Sequence, residues 1–327
     1  MTLVPPTRVG KLLKVPHLRE GDSVAVIAPA SPPLDRSVFS DTKKLLTAHG
    51  LRVVFGAHAR EQAGFLAGSD ADRAHDLNAA IRDKRIRAIL CVRGGYGVGR
   101  ILDRLDYASL KRDPKVILGC SDITSLLCAV VTHAGIRSFH GPMPQSLCRA
   151  KAPRYSLRHL LNAVMGGLSA TGSILSGYDE RGAHPECLRR GRVTAPLIGG
   201  NLAILCSLIG TQYLPSLKGK IVFLEDIGEA PYKLDRALTH LSSIGAFDGV
   251  AGFALGQFLD CEYPPAVARG KQSSRDVFIE RLGSLGKPVV LGLPFGHGPY
   301  NATLPLGALA TLDASRGDLV LEERSVR

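Results

Sequence analysis

The chain has 327 residues, long for one domain and comfortable for two. Its 41 Lys and Arg against 29 Asp and Glu give a net charge of +12, which favours anionic partners. The basic residues are dispersed, Trp is absent and no nucleic-acid module signature appears, so a small polycarboxylate is a better candidate than nucleic acid.

The first half alternates strands and helices. "SVAVIAPAS" (Ser23–Ser31) is an apolar strand ending in Pro and Ser, and a polar helix follows over roughly Ser37–His49. "RVVFG" (Arg52–Gly56) predicts a second strand and "DADRAHDLNAAIRD" (Asp70–Asp83) a helix. "IRAILCVRGG" (Ile86–Gly95) is a third strand ending in glycines, and "GVGRILDRL" begins another helix. "KVILGCSD" is a fourth strand and "IRSFHGP" (Ile136–Pro142) a fifth. Short apolar strands separated by helices are the pattern of a parallel α/β sheet covered on both faces. Ligands of such sheets bind beyond the carboxyl ends of the strands, where "APASP", "RGGYG" and "GCSD" should face one crevice.

From Ala150 to about Arg192 the sequence turns basic, small and polar, as in "CRAKAPRYSLRHLL", "GGLSATGSILSG" and "RGAHPECLRRGR". The expected organisation is therefore an N-terminal domain over 1–150, a connecting segment over 151–193 and a second domain over 194–327. The second half holds a buried helix ("GGNLAILCSLIG"), a strand ("KIVFLED") and a helix with Leu234, Ala237, Leu238 and Leu241 on one face. Four more strands follow in "GVAGFALGQF", "PVVLGLPFGH", "GALATLDA" and "DLVLEE". This predicts a smaller mixed α+β, barrel-like domain. The seven cysteines are odd in number, lack a C-x-x-C pair and in several cases sit in apolar runs, which fits a reducing cytoplasm. No stretch of ~18 apolar residues exists, so neither a membrane span nor a cleaved signal is expected.

Two readings of "KVILGCSDITSLLCAV" (Lys115–Val130) stay open at this point. Ile123, Leu126, Leu127, Val130 and Val131 form one helical stripe, so Ser121 is a good N-cap with Asp122 favouring the helix dipole. Equally, a serine on a strand-to-helix turn presents a nucleophilic hydroxyl beside an oriented N–H. The G-x-S-x-G pattern is unmet, because Ile123 occupies the second Gly position. "RGGYGVGR" fails the dinucleotide spacing at Arg100, and no Walker A, H-E-x-x-H or paired Cys/His set occurs, so no cofactor and no metal are expected. A serine nucleophile needs a base. His297 in "LPFGHGPYN" and His140 in "SFHGPM" are the strand-end candidates. Glu225 closes an apolar strand, where a carboxylate is costly unless paired or facing a site, with Asp226 and Glu229 as rivals.

Taken in order, "GDSVAVIAPASP", "FLAGSDADRAHDLNAAI", "ILCVRGGYGVGRILDRLDY", "ILGCSDITSLL", "FHGPM", "LIGGNLAILCSLIGT", "VFLEDIGEAPYKLDRAL" and "LPFGHGPYNATLPLG" span nearly the whole chain. Together they resemble the LD-carboxypeptidase family of serine peptidases. The resemblance implies a Rossmann-like N-terminal domain, a barrel-like C-terminal domain and an active site between them. It implies a triad of Ser121 as nucleophile, Glu225 as orienting carboxylate and His297 as base, with the N–H groups of Gly95 and Asp122 as oxyanion hole. His140 then takes a structural or substrate-side role, and Arg93 is a candidate anchor for a substrate carboxylate, unless it only holds its turn. The implied substrates are murein tetrapeptides that lose D-Ala, or, in some members, microcin C-like aminoacyl nucleotides. The absence of Trp weakens the nucleotide alternative, since those members stack the base on an aromatic loop. A cytoplasmic homodimer is implied as well.

Overall fold

The computed structural model describes residues 6–149, 153–166, 171–178 and 184–327. Its strands are β1 Ser23–Ile27, β2 Arg52–Phe55, β3 Ile86–Cys91, β4 Val116–Gly119, β5 Phe139–His140, β6 Gly172–Ser173, β7 Glu186–Arg189, β8 Arg192–Asn201, β9 Ile221–Ile227, β10 Gly252–Leu259, β11 Val289–Leu291, β12 Leu304–Pro305, β13 Leu309–Asp313 and β14 Asp318–Leu321. Its α-helices are α1 Ser37–Thr47, α2 Asp70–Arg82, α3 Tyr107–Arg112, α4 Thr124–Ala129, α5 Pro144–Leu147, α6 Arg154–Met165, α7 Leu202–Ser207, α8 Pro231–Ser243, α9 Pro265–Ala268 and α10 Ser274–Arg281. Among the described residues no helix is long and apolar enough to cross a membrane.

The fold is mixed α/β with two sheets. The first runs β12-β5-β4-β3-β1-β2. Its strands are parallel from β5 to β2, as their continuous apolar runs require when helices cover both faces. The second runs β6-β14-β13-β8-β9-β10-β11-β7, parallel from β8 to β11 and antiparallel toward both ends. This sheet curls: a Cβ placed on Gly252 of β10 would stand 3.2 Å from Leu312 of β13, although β8 and β9 lie between those strands in the order.

Local sequence explains most elements. A Ser69–Asp72 capping box opens α2, and Pro231 at the first turn opens α8, which buries Leu234, Leu238 and Leu241. Three expectations differ from the structure. The helix expected from "GVGRILDRL" is two 3₁₀ turns, Val98–Arg100 and Leu102–Arg104, before the Asp106-capped α3. Gly97 and Gly99 lower helix propensity there. The stripe expected on α4 is an all-round buried helix: Thr124, Ser125 and Cys128 are as enclosed as Leu126 and Leu127. It lies against the first sheet and against β8 of the second, where Asn201 N–H donates to Thr124 Oγ1 at 3.1 Å. Finally, the segment expected as a connection holds α6 and the strands β6 and β7, which form the two ends of the second sheet. These strands are two and four residues long and lack an apolar run, so patterning misses them. Residues 150–152, 167–170 and 179–183, which include parts of that expected connection, lie outside the described residues.

One crossing was not expected. β12, from the C-terminal half, pairs antiparallel with β5, so Leu304 sits opposite His140 and Pro305 opposite Phe139. The chain thus returns to the first sheet after completing β11 of the second.

Candidate active site

The three polar stretches after β1, β3 and β4 meet at one end of the first sheet. Ser31 N–H donates to Gly94 O at 3.2 Å and Tyr96 N–H to Ser31 Oγ at 3.2 Å. Arg73, buried on α2, donates to the carbonyls of Pro29 (2.5 Å) and Gly97 (2.8 Å) and pairs with Asp70, tying the first two stretches together. Asp122 ties the third to them: its Oδ2 accepts Val98 N–H at 2.9 Å. Burial pushes the Asp122 carboxyl up to about 6, against the opposing pull of the Val98 and Gly97 N–H groups and of Arg73.

Ser121 follows β4 with φ at +61°. It and Asp260 are the two non-glycine residues with positive φ among those described. Such a backbone costs on the order of 1–3 kcal/mol and is retained where the surroundings dictate it. The capping alternative is corrected here. The Ser121–Ile123 3₁₀ turn is preceded by Cys120, and neither it nor α4 receives a side-chain cap. The hydroxyl instead faces a cavity of about 390 Å³, shared with Arg93, Gly95, Gln145, Arg149 and His297.

That approach depends on Gly94. A Cβ there would lie 2.7 Å from Ser121 Cβ, 3.0 Å from its Oγ and 3.3 Å from Asp122 N. Gly94→Ala should therefore displace the serine turn and cost about 100-fold in turnover, the scale of a roughly 1 Å misplacement. Gly99→Ala, whose added methyl meets nothing within 4 Å, should leave turnover unchanged. Equal rates for the two variants would show that the contact does not matter.

Across the cavity, Glu225 lies in the buried part of β9, which runs on to Asp226, and is fully enclosed. His297 Nδ1 lies 2.6 Å from its Oε2. With a carboxylate as acceptor, Nδ1 carries the hydrogen and Nε2 keeps its lone pair. Gly296 permits this contact: its φ is +113°, and a Cβ there would come 2.9 Å from Glu225 Oε2. The loop is held by Asn301, whose Oδ1 accepts Gly296 N–H at 3.2 Å. Burial pulls the His297 imidazole down. The hydrogen bond and charge of Glu225, with the charge of Asp226, outweigh burial and an opposing Arg149, so the net shift is upward.

The rival carboxylates are accounted for elsewhere. Asp226 accepts Asn201 Nδ2–H, Ala203 N–H and Ile227 N–H, each at 2.9 Å, so it serves the start of α7. Glu229 pairs with Lys233 at 3.2 Å on the half-exposed start of α8. His140 is a correction: it is fully buried, has neither ring nitrogen bonded, and packs edge-on against Phe223 and Phe295. Burial drives its imidazole down to about 4, so it is neutral and does not reach the cavity as a substrate contact. Arg93 donates to Pro32 O at 2.9 Å and lines the cavity. Arg149 and Gln145 also line it and were not singled out in the sequence. They lie on and just after α5, four residues long, which carries no periodic signal.

Ser121, which follows β4 of the first sheet, and His297, bonded to Glu225 on β9 of the second, line one cavity. Models of the LD-carboxypeptidase N-terminal and C-terminal domains match residues 24–141 and 194–312. The chain belongs to the LD-carboxypeptidase family. It is a serine-type carboxypeptidase, a hydrolase of peptide bonds. It is 34% identical to a probable murein peptide carboxypeptidase of Bacillus subtilis, over 93% of each chain. It is 34% identical to the murein tetrapeptide carboxypeptidase of Pseudomonas aeruginosa, over 90% of this chain and 94% of that one. Among solved structures, an MccF-like protein of Bacillus anthracis is similar with a TM-score of 0.82 at 28% identity, covering 94% of this chain and 99% of its own.

Proposed function

We propose that this LD-carboxypeptidase releases terminal D-Ala from murein tetrapeptides through a Ser121–Glu225–His297 triad. The observation that carries the proposal is the 2.6 Å bond from His297 to the buried Glu225, on the cavity that Ser121 lines. His297 Nε2 takes the Ser121 proton as Oγ attacks the carbonyl before D-Ala. The N–H groups of Gly95 and Asp122 hold the oxyanion. His297 then gives the proton to the departing amine of D-Ala, and water, deprotonated by the same nitrogen, frees the acyl group from Ser121. Glu225 holds Nδ1–H throughout and stabilises the imidazolium. Arg93 and Arg149 supply positive charge for the substrate's terminal carboxylate.

In the same proposal residues 1–150 form the nucleophile-bearing domain, 194–327 the domain bearing Glu225 and His297, and 151–193 the segment between them. The enzyme acts in the cytoplasm as a homodimer, as the family resemblance implies.

The second reading, hydrolysis of microcin C-like aminoacyl nucleotides, draws on the MccF-like structural neighbour. Against it, no Phe, Tyr or Trp lines the cavity among the described residues, so no broad stacking platform for a base is at hand. The test is incubation with free and disaccharide-linked tetrapeptide, and separately with an aminoacyl sulfamoyl adenosine, following D-Ala or amino-acid release. D-Ala release is the expected result. Inertness toward both tetrapeptides would overturn the substrate assignment, and cleavage of the nucleotide alone would transfer it to the second reading.

A further inference from the structure

A second cluster of chemistry-bearing side chains lies about α2, and none of its members lines the Ser121 cavity. His58 and Glu61 sit in the connection after β2, and Asp72, His75 and Asp76 lie on α2. One ligand atom from each of His58, His75 and Asp76 can be chosen so that all lie within 4.8 Å of one another.

Two further observations point to a ligand there. Asp76 is 5% exposed, and while its Oδ2 accepts His58 N–H at 3.0 Å, its Oδ1 is buried without a partner. An unpaired buried carboxylate oxygen is costly. That oxygen lies 3.7 Å from His75 Nδ1, and both residues border a cavity of about 130 Å³. In addition, His58 Nδ1 is bound by Glu61 at 2.7 Å, which leaves Nε2 available. A carboxylate on one imidazole nitrogen with a metal on the other is the usual way a histidine ligand is oriented.

We propose that His58, His75 and Asp76 bind a divalent transition cation, for which zinc is the best match. Two imidazoles and one carboxylate are a borderline donor set that suits zinc, cobalt or nickel, whereas calcium and magnesium take oxygen ligands. Tetrahedral zinc needs neighbouring donors roughly 3.3 Å apart, from zinc–ligand bonds near 2.0 Å. The cluster must therefore tighten, and His75, with its side chain 64% exposed, is free to turn inward. Water or Asp72 completes the shell. The ion's role is to clamp. It would fasten α2 to the connection whose Ala67 N–H donates to Ala30 O at 2.9 Å and whose Leu66 abuts Gly97 beside the serine turn.

The test uses the full chain, stripped with chelator and titrated with zinc chloride by calorimetry, with cobalt absorption as a second readout. One zinc per chain is expected, with affinity falling roughly 100-fold or more in His58→Ala and in His75→Ala. Cobalt should give a visible ligand-field band in the unaltered chain that His75→Ala abolishes. Circular dichroism checks that these variants keep the fold, which the exposed position of His75 favours. No stoichiometric uptake by the unaltered chain, or uptake that survives both replacements, would overturn the site. These readouts are independent of peptide hydrolysis and so of the triad.

Discussion

Replacing Ser121 with alanine is expected to lower D-Ala release by roughly 10⁴–10⁶-fold, the range seen when a serine hydrolase loses its nucleophile. The reason is chemical: the other hydroxyl and thiol on the cavity are occupied or buried, since Ser146 Oγ donates to Met143 O at 2.8 Å and the Cys120 thiol is buried and pushed up by that burial. A companion variant gives the expectation a second signature. Ser121 carries a φ of +61°, where a side chain is strained and glycine is not. Ser121→Gly should therefore be as inactive as the alanine variant yet more stable by about 1 kcal/mol, read as a higher denaturant midpoint at unchanged slope. Substantial activity in either variant would remove Ser121 from the reaction. Inactivity without the gain in stability would mean that the backbone there is not strained.

The second large effect is expected at Glu225. Changing it to glutamine keeps shape and burial but removes the charge, and permits the amide to present N–H instead of oxygen to His297 Nδ1. Loss of the correct tautomer costs about 10⁴-fold in turnover in a related arrangement. The pH profile separates this from general damage. His297 must be neutral to accept the serine proton, so activity fails as pH falls through its pKa. That pKa is held above the ordinary histidine value of 6.5, with burial working against Glu225 and Asp226. Removing the Glu225 charge takes away the largest upward influence, so the acid limb of kcat/KM should move to lower pH. A variant with the original limb would mean that some other group titrates. Stability should not suffer, because Glu225 Oε1 is buried without a partner and a neutral amide is cheaper to bury than a carboxylate.

These two residues also show what the sequence could and could not disclose. Glu225 stood out because a carboxylate closing an apolar strand is an anomaly that calls for a partner, but it was the family resemblance that chose it over Asp226 and Glu229. Ser121 was not decidable locally: a cap and a nucleophile both favour serine at a helix start, and what separates them is a dihedral angle and a missing hydrogen bond. The parallel first sheet was legible from its continuous apolar strands, as were the glycine turns at their ends. β6, β7 and β12 were not, being two to four residues long and defined by the strands they pair with. Asp122 was weighed for its N–H and for the helix dipole. Its side chain's grip on Val98, and Arg73's on Pro29 and Gly97, are tertiary bonds with no sequence period. The His58 cluster escaped for the same reason, since its members come from a loop and a helix with no metal-motif spacing.

The passage of the chain from β11 to β12 has a mechanical meaning. His297 rides on the strap between them, and that strap is anchored in the second sheet at one end and in the first at the other. The proposed base itself stays with the second sheet, bonded to Glu225 of β9 and next to Gly296, which bridges Gln257 of β10, while the strap beyond it reaches the first. A swing that parted the halves would load this strap and carry the imidazole away with the second sheet. In such a linkage the alignment of base and nucleophile works as a gauge of closure, and a substrate that bridges the two halves would set the gauge as it binds.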